Sequence, residues 1–249
     1  CTYDEKDERH AQILAGLAQW ACNASLLPLA FVRMTLIGIP DQRELRYLNN
    51  ILNTEKWRRL RAAPTQYLPR EAMVVITDGS ITGAGVVLDG RAYAIRWKQK
   101  RPMQEQQKAE WDAATLGIDM VARRSQRGQA SLLVADNAGL LAGIVSGNPS
   151  TPHAVQALRH IYRTLQGPLW CAYVPSADNP ADRPSRAETG VTPIEVSVPK
   201  LQQWRERAVL ATWTMAARNE ELDSTDEMEP HELDDERERL MKEEPSGQW

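Results

Sequence analysis

Three short strand-like runs follow one another between residues 73 and 99, and this order constrains the fold more than any other feature of the chain. The runs cover residues 73–78, 81–88 and 91–99, and each is rich in apolar or β-branched residues. Asp89-Gly90 joins the last two runs, which is a strong signal for a two-residue hairpin turn. These residues therefore predict three consecutive strands, the last two forming a hairpin.

Helices and strands alternate in the following hundred residues. Helical periodicity covers residues 104–124, 137–146 and 151–165, and β-rich apolar runs cover residues 132–135 and 169–174. We expect a last helix to begin near Asp182. This order predicts an α/β fold.

Four carboxylates stand at distinctive places in this pattern. Asp78 and Asp136 end apolar strand-like runs, Glu110 lies on the long predicted helix, and Asp182 lies in an Asn-Pro-Ala-Asp turn. Any one of these acids alone is more often a solvated or capping residue. Converging at one end of a sheet, they could hold two Mg²⁺ ions about 3.5–4 Å apart, an arrangement that hydrolyses phosphodiesters. Their order, spacing and flanks therefore indicate a candidate nuclease centre.

The segments around these acids resemble the ribonuclease H domains of retroelement reverse transcriptases, of the LTR or tyrosine-recombinase (DIRS-like) type. The matching motifs are Thr77-Asp78-Gly79-Ser80, Lys108-Ala109-Glu110-Trp111, Ala135-Asp136-Asn137 and the closing Asn179-Pro180-Ala181-Asp182-Arg183-Pro184-Ser185-Arg186. The resemblance covers residues 73–186, and the closing motif is its most specific part. It implies a ribonuclease H-like mixed five-stranded sheet flanked by helices.

The resemblance also implies an activity, namely metal-dependent hydrolysis of the RNA strand of RNA–DNA hybrids. Asp78, Glu110, Asp136 and Asp182 would be the catalytic metal ligands, with Asp78 bridging two Mg²⁺ ions, Glu110 and Asp136 completing the first site and Asp182 the second. Mn²⁺ is expected to substitute. The expected partners are an RNA–DNA hybrid and a polymerase domain in the same polypeptide. The alternative is an inactive or domesticated module of the same fold that binds nucleic acid or acts as a scaffold.

One departure concerns histidine. Many cellular ribonucleases H carry a histidine shortly before the last aspartate, but residues 170–182 contain none. Several retroelement versions also lack it, so its absence favours that branch. His153 and His160 lie on the helix predicted for residues 151–165, where we interpret both as partly exposed helix residues.

Six further residues are candidates for nucleic-acid contact: Gly79, Ser80, Lys98, Lys100, Asn137 and Arg186. Asn137 could instead cap a helix, which we favour slightly over a contact with a ribose hydroxyl. The glycines at positions 79, 83 and 85 could permit a tight or positive-φ backbone near Asp78 and allow close approach of a sugar-phosphate chain. They could equally mark an ordinary hairpin with a bulge.

The chain is predicted to have four regions. Residues 1–69 form a helical region, with helices over residues 9–37 and 41–62. Its segments Leu14-Ala15-Gly16-Leu17-Ala18-Gln19-Trp20-Ala21 and Pro28-Leu29-Ala30-Phe31 weakly resemble the thumb or connection of reverse transcriptases, and an unrelated pair of helices is the alternative. Residues 70–190 form the ribonuclease H-like domain, and residues 191–218 form an extension with a helix over 201–217. Residues 219–249 are predicted to be a disordered acidic tail, because few apolar residues are present to offset the entropy of ordering. The first residue is Cys1, so we expect a segment of a longer polypeptide.

Charge is divided unevenly along the chain. Residues 219–249 contain 13 acidic and 3 basic residues, which leaves 27 basic and 20 acidic residues in residues 1–218. This positive excess of 7 suits a polyanionic partner.

The apolar pattern and the cysteine content indicate where in the cell the protein is expected. No apolar run reaches the roughly 18–20 residues that span a bilayer, and the first ten residues are polar, so we expect no membrane partner and no secretory signal. Three scattered cysteines favour a reduced, intracellular compartment, with cytoplasm and nucleus equally open, and Cys171 is predicted to be a small buried residue.

Overall fold

A computed structural model of the protein describes residues 8–25, 29–36, 41–53, 68–165 and 167–211. All of these belong to the unit Cys1–Arg218, and the second unit, Asn219–Trp249, lies outside the described residues. The predicted acidic tail and residues 54–62 of the predicted third helix therefore also lie outside them.

The described part of the chain builds a seven-stranded mixed sheet in the order β6-β3-β2-β1-β4-β5-β7. Its strands are β1 Met73–Gly79, β2 Gly83–Leu88, β3 Arg91–Arg96, β4 Ser131–Ala135, β5 Leu169–Tyr173, β6 Gly190–Pro193 and β7 Val209–Leu210. The pairs β1–β2 and β2–β3 are antiparallel, whereas β1–β4 and β4–β5 are parallel. This α/β sheet flanked by helices is consistent with the predicted ribonuclease H-like fold, and the five predicted strands are confirmed.

Two edge strands were missed, so the prediction of five strands was wrong in number. β6 pairs antiparallel with β3, and β7 pairs antiparallel with β5. β6 is fully exposed and ends at Pro193, and β7 has only two residues, so neither shows the apolar alternation that marks a half-buried strand. Backbone pairing with a neighbouring edge forms them.

The hairpin between β2 and β3 turns at the predicted dipeptide. Asp89 and Gly90 have φ angles of 51° and 68°, and Leu88 pairs with Arg91. Positive φ at both central residues matches the right-handed twist of the flanking strands. The hairpin prediction is confirmed.

Eight α-helices lie within the described ranges. They are α1 Glu8–Ser25, α2 Arg33–Leu36, α3 Gln42–Asn53, α4 Gln106–Ala122, α5 Ala138–Ser146, α6 Pro152–Thr164, α7 Asp182–Arg186 and α8 Val198–Glu206. None of the described helices combines the length and the apolar character needed to cross a membrane. The helix predicted for residues 201–217 was wrong in its described part: the helix spans Val198–Glu206, with Pro199 in its first turn, and Leu210 lies on β7 instead. Residues 212–217 of this prediction lie outside the described residues.

Both faces of the sheet are buried, which explains the unbroken apolar runs of the central strands. On β1, Val75 packs in the larger core with Trp111 of α4, whereas Ile76 packs on the opposite face with Trp204 of α8. Successive residues of a strand point to opposite faces. The central strands are therefore packed between two apolar cores. Cys171 of β5 is buried, as predicted, and burial raises the pKa of its thiol to about 12.

The N-terminal helical region contacts α6 through a half-buried ion pair. Arg159 of α6 donates through Nη2 to Glu44 Oε1 at 3.1 Å and through Nε to the Ala30 carbonyl at 3.0 Å. Glu44 is only 6% exposed and also accepts hydrogen bonds from the Thr35 backbone and hydroxyl. Arg159 is thus the cationic partner of a buried carboxylate.

Replacing Arg159 with alanine is expected to lower the free energy of unfolding by about 2 kcal/mol, because Glu44 stays buried with its positive partner removed. Arg163→Ala is the matched control, since this exposed arginine on the same helix lies 6.0 Å from the Phe31 ring and is expected to cost under about 0.5 kcal/mol. Urea denaturation of both variants measures the difference. Equal losses would contradict the role of the Arg159–Glu44 pair.

Candidate metal centre

Asp78 and Asp136 meet because their strands are parallel neighbours. β1 and β4 pair in register from Met73 opposite Ser131 to Ile76 opposite Val134, so both strands end at the same edge of the sheet. Asp78 lies near the end of β1, and Asp136 directly follows β4. The predicted convergence of these two carboxylates is present in the structure.

Glu110 joins them from α4, which packs across the end of β1. One carboxylate oxygen from each of Asp78, Glu110 and Asp136 lies within 4.8 Å of the others, and this group could hold a metal ion. Asp78 and Glu110 are buried, at 5% and 7% exposure, and Asp136 is half-buried. Three of the four predicted ligands therefore form one cluster.

The position of Glu110 depends on the small size of Gly79. A Cβ at Gly79 would lie 2.3 Å from the backbone carbon of Ala109 and 2.4 Å from the Glu110 nitrogen, so the α4 backbone rests directly on β1. At this distance the Gly79 N–H donates to Glu110 Oε2 at 3.1 Å. Gln106, one turn before Glu110, donates to its Oε1 at 3.3 Å and also to the Gly79 carbonyl.

Asp182 is brought near the cluster by α7, which packs equally closely on β2. A Cβ at Gly85 would lie 2.1 Å from the Ala181 carbonyl oxygen and 2.7 Å from the Ser185 nitrogen. The Ser80 hydroxyl donates to the Ser185 carbonyl at 2.6 Å and further ties this helix to the end of β1. The closing motif predicted from the sequence is thus docked on the sheet beside Asp78.

The Asp182 carboxylate itself stands outside the three-membered group. Its Oδ1 accepts a hydrogen bond from Arg186 Nη2 at 2.6 Å, one turn along α7. It is nevertheless near enough that its negative charge helps to raise the pKa of Asp78. Asp182 therefore lies at the margin of the cluster and is held by an arginine.

The positive-φ interpretation of Gly79, Gly83 and Gly85 was wrong. Among the described residues, the glycines with positive φ are Gly90, Gly128 and Gly147. The pairing of β2 with both neighbours is also continuous, so the alternative of a bulge there was wrong as well. These glycines admit the backbones of α4, α7 and the neighbouring β3, which occupy the space beside them.

Burial and mutual repulsion raise the pKa values of two carboxyl groups in this cluster. Burial, followed by the nearby charges of Asp136 and Asp182, raises the pKa of Asp78 to about 6, although Ser185 and Arg186 partly offset this. Burial and then Asp78 raise the pKa of Glu110 to about 8, against the stabilising hydrogen bonds from Gly79 and Gln106. A divalent cation would relieve this repulsion.

One oxygen of the cluster has no partner within the protein. Asp78 Oδ2 is buried and makes no hydrogen bond, which is costly for a carboxylate oxygen. Hard cations such as Mg²⁺ and Mn²⁺ bind carboxylate oxygens of this kind. The residues present therefore fit a divalent metal ion.

The six candidate nucleic-acid contacts have different environments. Gly79 and Ser80 are buried and bonded within the protein, and Asn137 caps α5 by accepting from the Leu140 N–H at 2.9 Å, as favoured from the sequence. Exposed side chains belong to Lys98, Lys100 and Arg186. Contact of any of the six with nucleic acid stays a prediction.

Two groups near the centre were missed by sequence reasoning. Gln106 is one; its position four residues before Glu110 on a helix was an available signal.

The other group consists of Trp97, Arg101 and Asp112, and it holds the turn after β3. Trp97 Nε1 donates to the Ser80 carbonyl at 2.8 Å, and Arg101 stacks 4.2 Å from the Trp97 ring centroid. Arg101 also forms an ion pair with Asp112 at 2.6 Å. This network anchors the turn that carries Lys98 and Lys100.

The histidines contact carboxylates of α4 other than Glu110. His153 Nε2 lies 2.8 Å from Asp112 Oδ1, and His160 Nε2 lies 2.7 Å from Asp119 Oδ1. His153 is half-buried and His160 is exposed, which confirms the interpretation of both as helix residues. The hydrogen bond to Asp119 raises the pKa of His160.

The pKa shifts predict that the metal-free protein loses stability as pH rises. The two carboxyl groups remain protonated in the folded state at pH values where they ionise in the unfolded state, so unfolding releases protons and becomes easier between about pH 5 and 8. We expect the Tm in chelator to fall by about 5 °C or more across this range, and Mg²⁺ to remove most of the fall. Thermal melts of the wild type and of an Asp78→Asn, Glu110→Gln double variant test this. A double variant whose Tm falls with pH as steeply as that of the wild type would contradict the prediction.

No protein-family model matches this chain, and no curated protein matches it. Membership of the retroelement ribonuclease H family therefore stays a prediction. The sequence motifs and the clustering of Asp78, Glu110 and Asp136 support it.

Proposed function

We propose that the protein is an endonuclease that hydrolyses the RNA strand of RNA–DNA hybrids with divalent metal ions, as the ribonuclease H region of a retroelement reverse transcriptase. The observation that carries this proposal is the unpartnered, buried Asp78 oxygen within a cluster of three carboxylates at the edge of a mixed sheet. A surface or capping role would leave the Asp78 carboxylate solvated or hydrogen-bonded through both oxygens. Its burial beside two further carboxylates is instead suited to binding a cation.

The proposal assigns each residue of the centre a role. Asp78, Glu110 and Asp136 would hold the metal, with Asp182 available at the margin for a second ion. When bound, Mg²⁺ would supply Lewis acidity for the attacking water and for the departing 3′ oxygen of the scissile phosphodiester. Gln106 and the Gly79 N–H hold both oxygens of Glu110 in place, so the ligand geometry is set before the metal arrives. Because the pKa of Glu110 is raised to about 8 and that of Asp78 to about 6, metal binding releases the proton of Glu110 near neutral pH and also that of Asp78 below about pH 6.

The surroundings suit a polyanionic substrate. Residues 1–218 carry the positive excess of the chain, and Lys98 and Lys100 project from the turn that is anchored to Ser80, two residues after Asp78. A basic turn fixed beside an acidic cluster could bind the nucleic-acid backbone while the carboxylates bind metal. A polymerase domain in the same polypeptide would deliver the hybrid.

The test compares three duplexes of one sequence: an RNA–DNA hybrid, duplex DNA and duplex RNA, each labelled on one strand. We expect the full chain to cut the RNA strand of the hybrid in Mg²⁺ or Mn²⁺, to cut neither homoduplex at a comparable rate, and to stop in chelator. Cleavage that persists in chelator would contradict the metal mechanism. Binding of the hybrid without cleavage in either metal would favour the alternative of an inactive binding or scaffold module.

A further inference from the structure

Arg186 neutralises the one predicted ligand that stands apart from the cluster. Its Nη2 lies 2.6 Å from Asp182 Oδ1, on the next turn of α7. The Asp182 side chain is 25% exposed and that of Arg186 is 65% exposed. The charge that could complete the centre is thus paired with a cation supplied by the protein.

The backbone of α7 leaves little freedom except in these two side chains. Ala181 and Ser185 contact Gly85 closely, and Asn179 Nδ2 donates to the Thr77 carbonyl at 3.2 Å, so the start of the helix is held against β1 and β2. Side-chain rotation therefore decides whether Asp182 faces Arg186 or the cluster. The hydrogen bonds of Asn179 to Thr77 and of Ser80 to Ser185 hold this helix within two residues of Asp78, and the two charges have opposite effects there, Asp182 raising the pKa of Asp78 and Arg186 lowering it.

The ion pair is close but weakly held. Solvent screens exposed pairs of this kind, and in a helix they contribute little to stability. A divalent cation beside Asp78 and Asp182 would interact with both carboxylates, whereas Arg186 forms its ion pair with Asp182. A cation bound there would therefore replace the guanidinium at small cost.

We propose that Arg186 is a positioning residue that holds Asp182 in the metal-free protein and is displaced when a second divalent ion takes Asp182 as a ligand. This inference rests on the proposed function for the presence of a metal centre. It assigns to Arg186 a role in ordering the binding of the two ions. The first ion would bind the preassembled cluster, and the second would compete with Arg186.

Mn²⁺ titration of the full chain without nucleic acid tests the exchange, with free Mn²⁺ measured by electron paramagnetic resonance. We expect a tighter and a weaker site in the wild type. Arg186→Gln is expected to tighten the weaker site by about 2–5-fold and leave the tighter one unchanged. Arg186→Lys, which retains a charge able to pair with Asp182, is expected to restore wild-type affinity. Asp182→Asn should abolish the weaker site.

The control is Arg183→Gln, which removes the same charge from an exposed arginine of the same helix. If Arg183→Gln tightens the weaker site as much as Arg186→Gln, the effect is long-range electrostatics and the exchange is wrong. A wild type that binds only one ion, or an Arg186→Gln variant with unchanged affinities, would also overturn it. Hybrid cleavage is measured separately. If the wild type cleaves the hybrid but Arg186→Gln leaves the Mn²⁺ affinities unchanged, this inference alone is contradicted. If the titrations give the expected affinities but no hybrid is cleaved, the proposed function alone is contradicted.

Discussion

Replacing Asp78 with asparagine is expected to reduce Mg²⁺-dependent cleavage of an RNA–DNA hybrid by about 1000-fold or more. Asparagine keeps the size of the side chain but removes the charge at the centre of the cluster, and a loss of about 4 kcal/mol of metal stabilisation corresponds to that factor. Cleavage of a labelled hybrid under single-turnover conditions measures the loss. Cleavage within about 3-fold of wild type would remove Asp78 from the mechanism.

The melting temperature of the Asp78→Asn variant distinguishes a loss of folding from a loss of catalysis. In chelator at pH 8, Asp78→Asn is expected to melt at or above the wild-type Tm, because it removes a buried charge that the metal-free protein tolerates poorly. The matched control is Asp119→Asn, a carboxylate on the helix of Glu110 that pairs with His160 at 2.7 Å. It should retain activity within about 2-fold.

Replacing Gly85 with alanine is expected to have the largest effect on the structure around the site. The added Cβ would lie 2.1 Å from the Ala181 carbonyl oxygen, so α7 must move away from β2. We expect a loss of about 3 kcal/mol or more in the free energy of unfolding. Displacement of Asp182 by about 1 Å should also lower cleavage by about 100-fold.

The control for this substitution is Gly16→Ala on α1, where nothing lies within 4 Å of an added Cβ. Alanine in a helix is more stable than glycine by about 0.5–1 kcal/mol, so this variant should be slightly stabilised and fully active. Urea denaturation and the hybrid assay of both variants provide the comparison. A stable, active Gly85→Ala protein would contradict the role of this glycine in docking α7 on β2.

The parts of the centre that sequence could predict are those tied to regular elements. Asp78 and Asp136 each follow a buried apolar run, and parallel strands bring such positions to one edge. Glu110 lies on a helix long enough to be recognised by its period. These positions were enough to predict that the three carboxylates could converge. The resemblance was needed only to assign a specific reaction to them.

The rest depended on three-dimensional contacts that leave no local pattern. Gly79 and Gly85 look like turn residues in the sequence, but their function is set by the backbones that α4 and α7 place against them. The edge strand Gly190–Pro193 forms only because β3 offers unpaired backbone groups. Arg186 was predicted to be a possible nucleic-acid contact, and its ion pair with Asp182 was missed, although the spacing of four residues on the helix predicted to begin near Asp182 was an available signal.

The close backbone packing at Gly79 and Gly85 has an evolutionary consequence. Under the proposed function Asp78 serves cleavage, whereas the glycines beside and opposite it admit the backbones of α4 and α7 and therefore serve folding. A descendant that abandoned catalysis but kept a scaffold role would be free to lose its acids and would still retain both glycines. Comparing the rates at which these two kinds of position change would therefore distinguish lineages under selection for turnover from those preserved for shape alone.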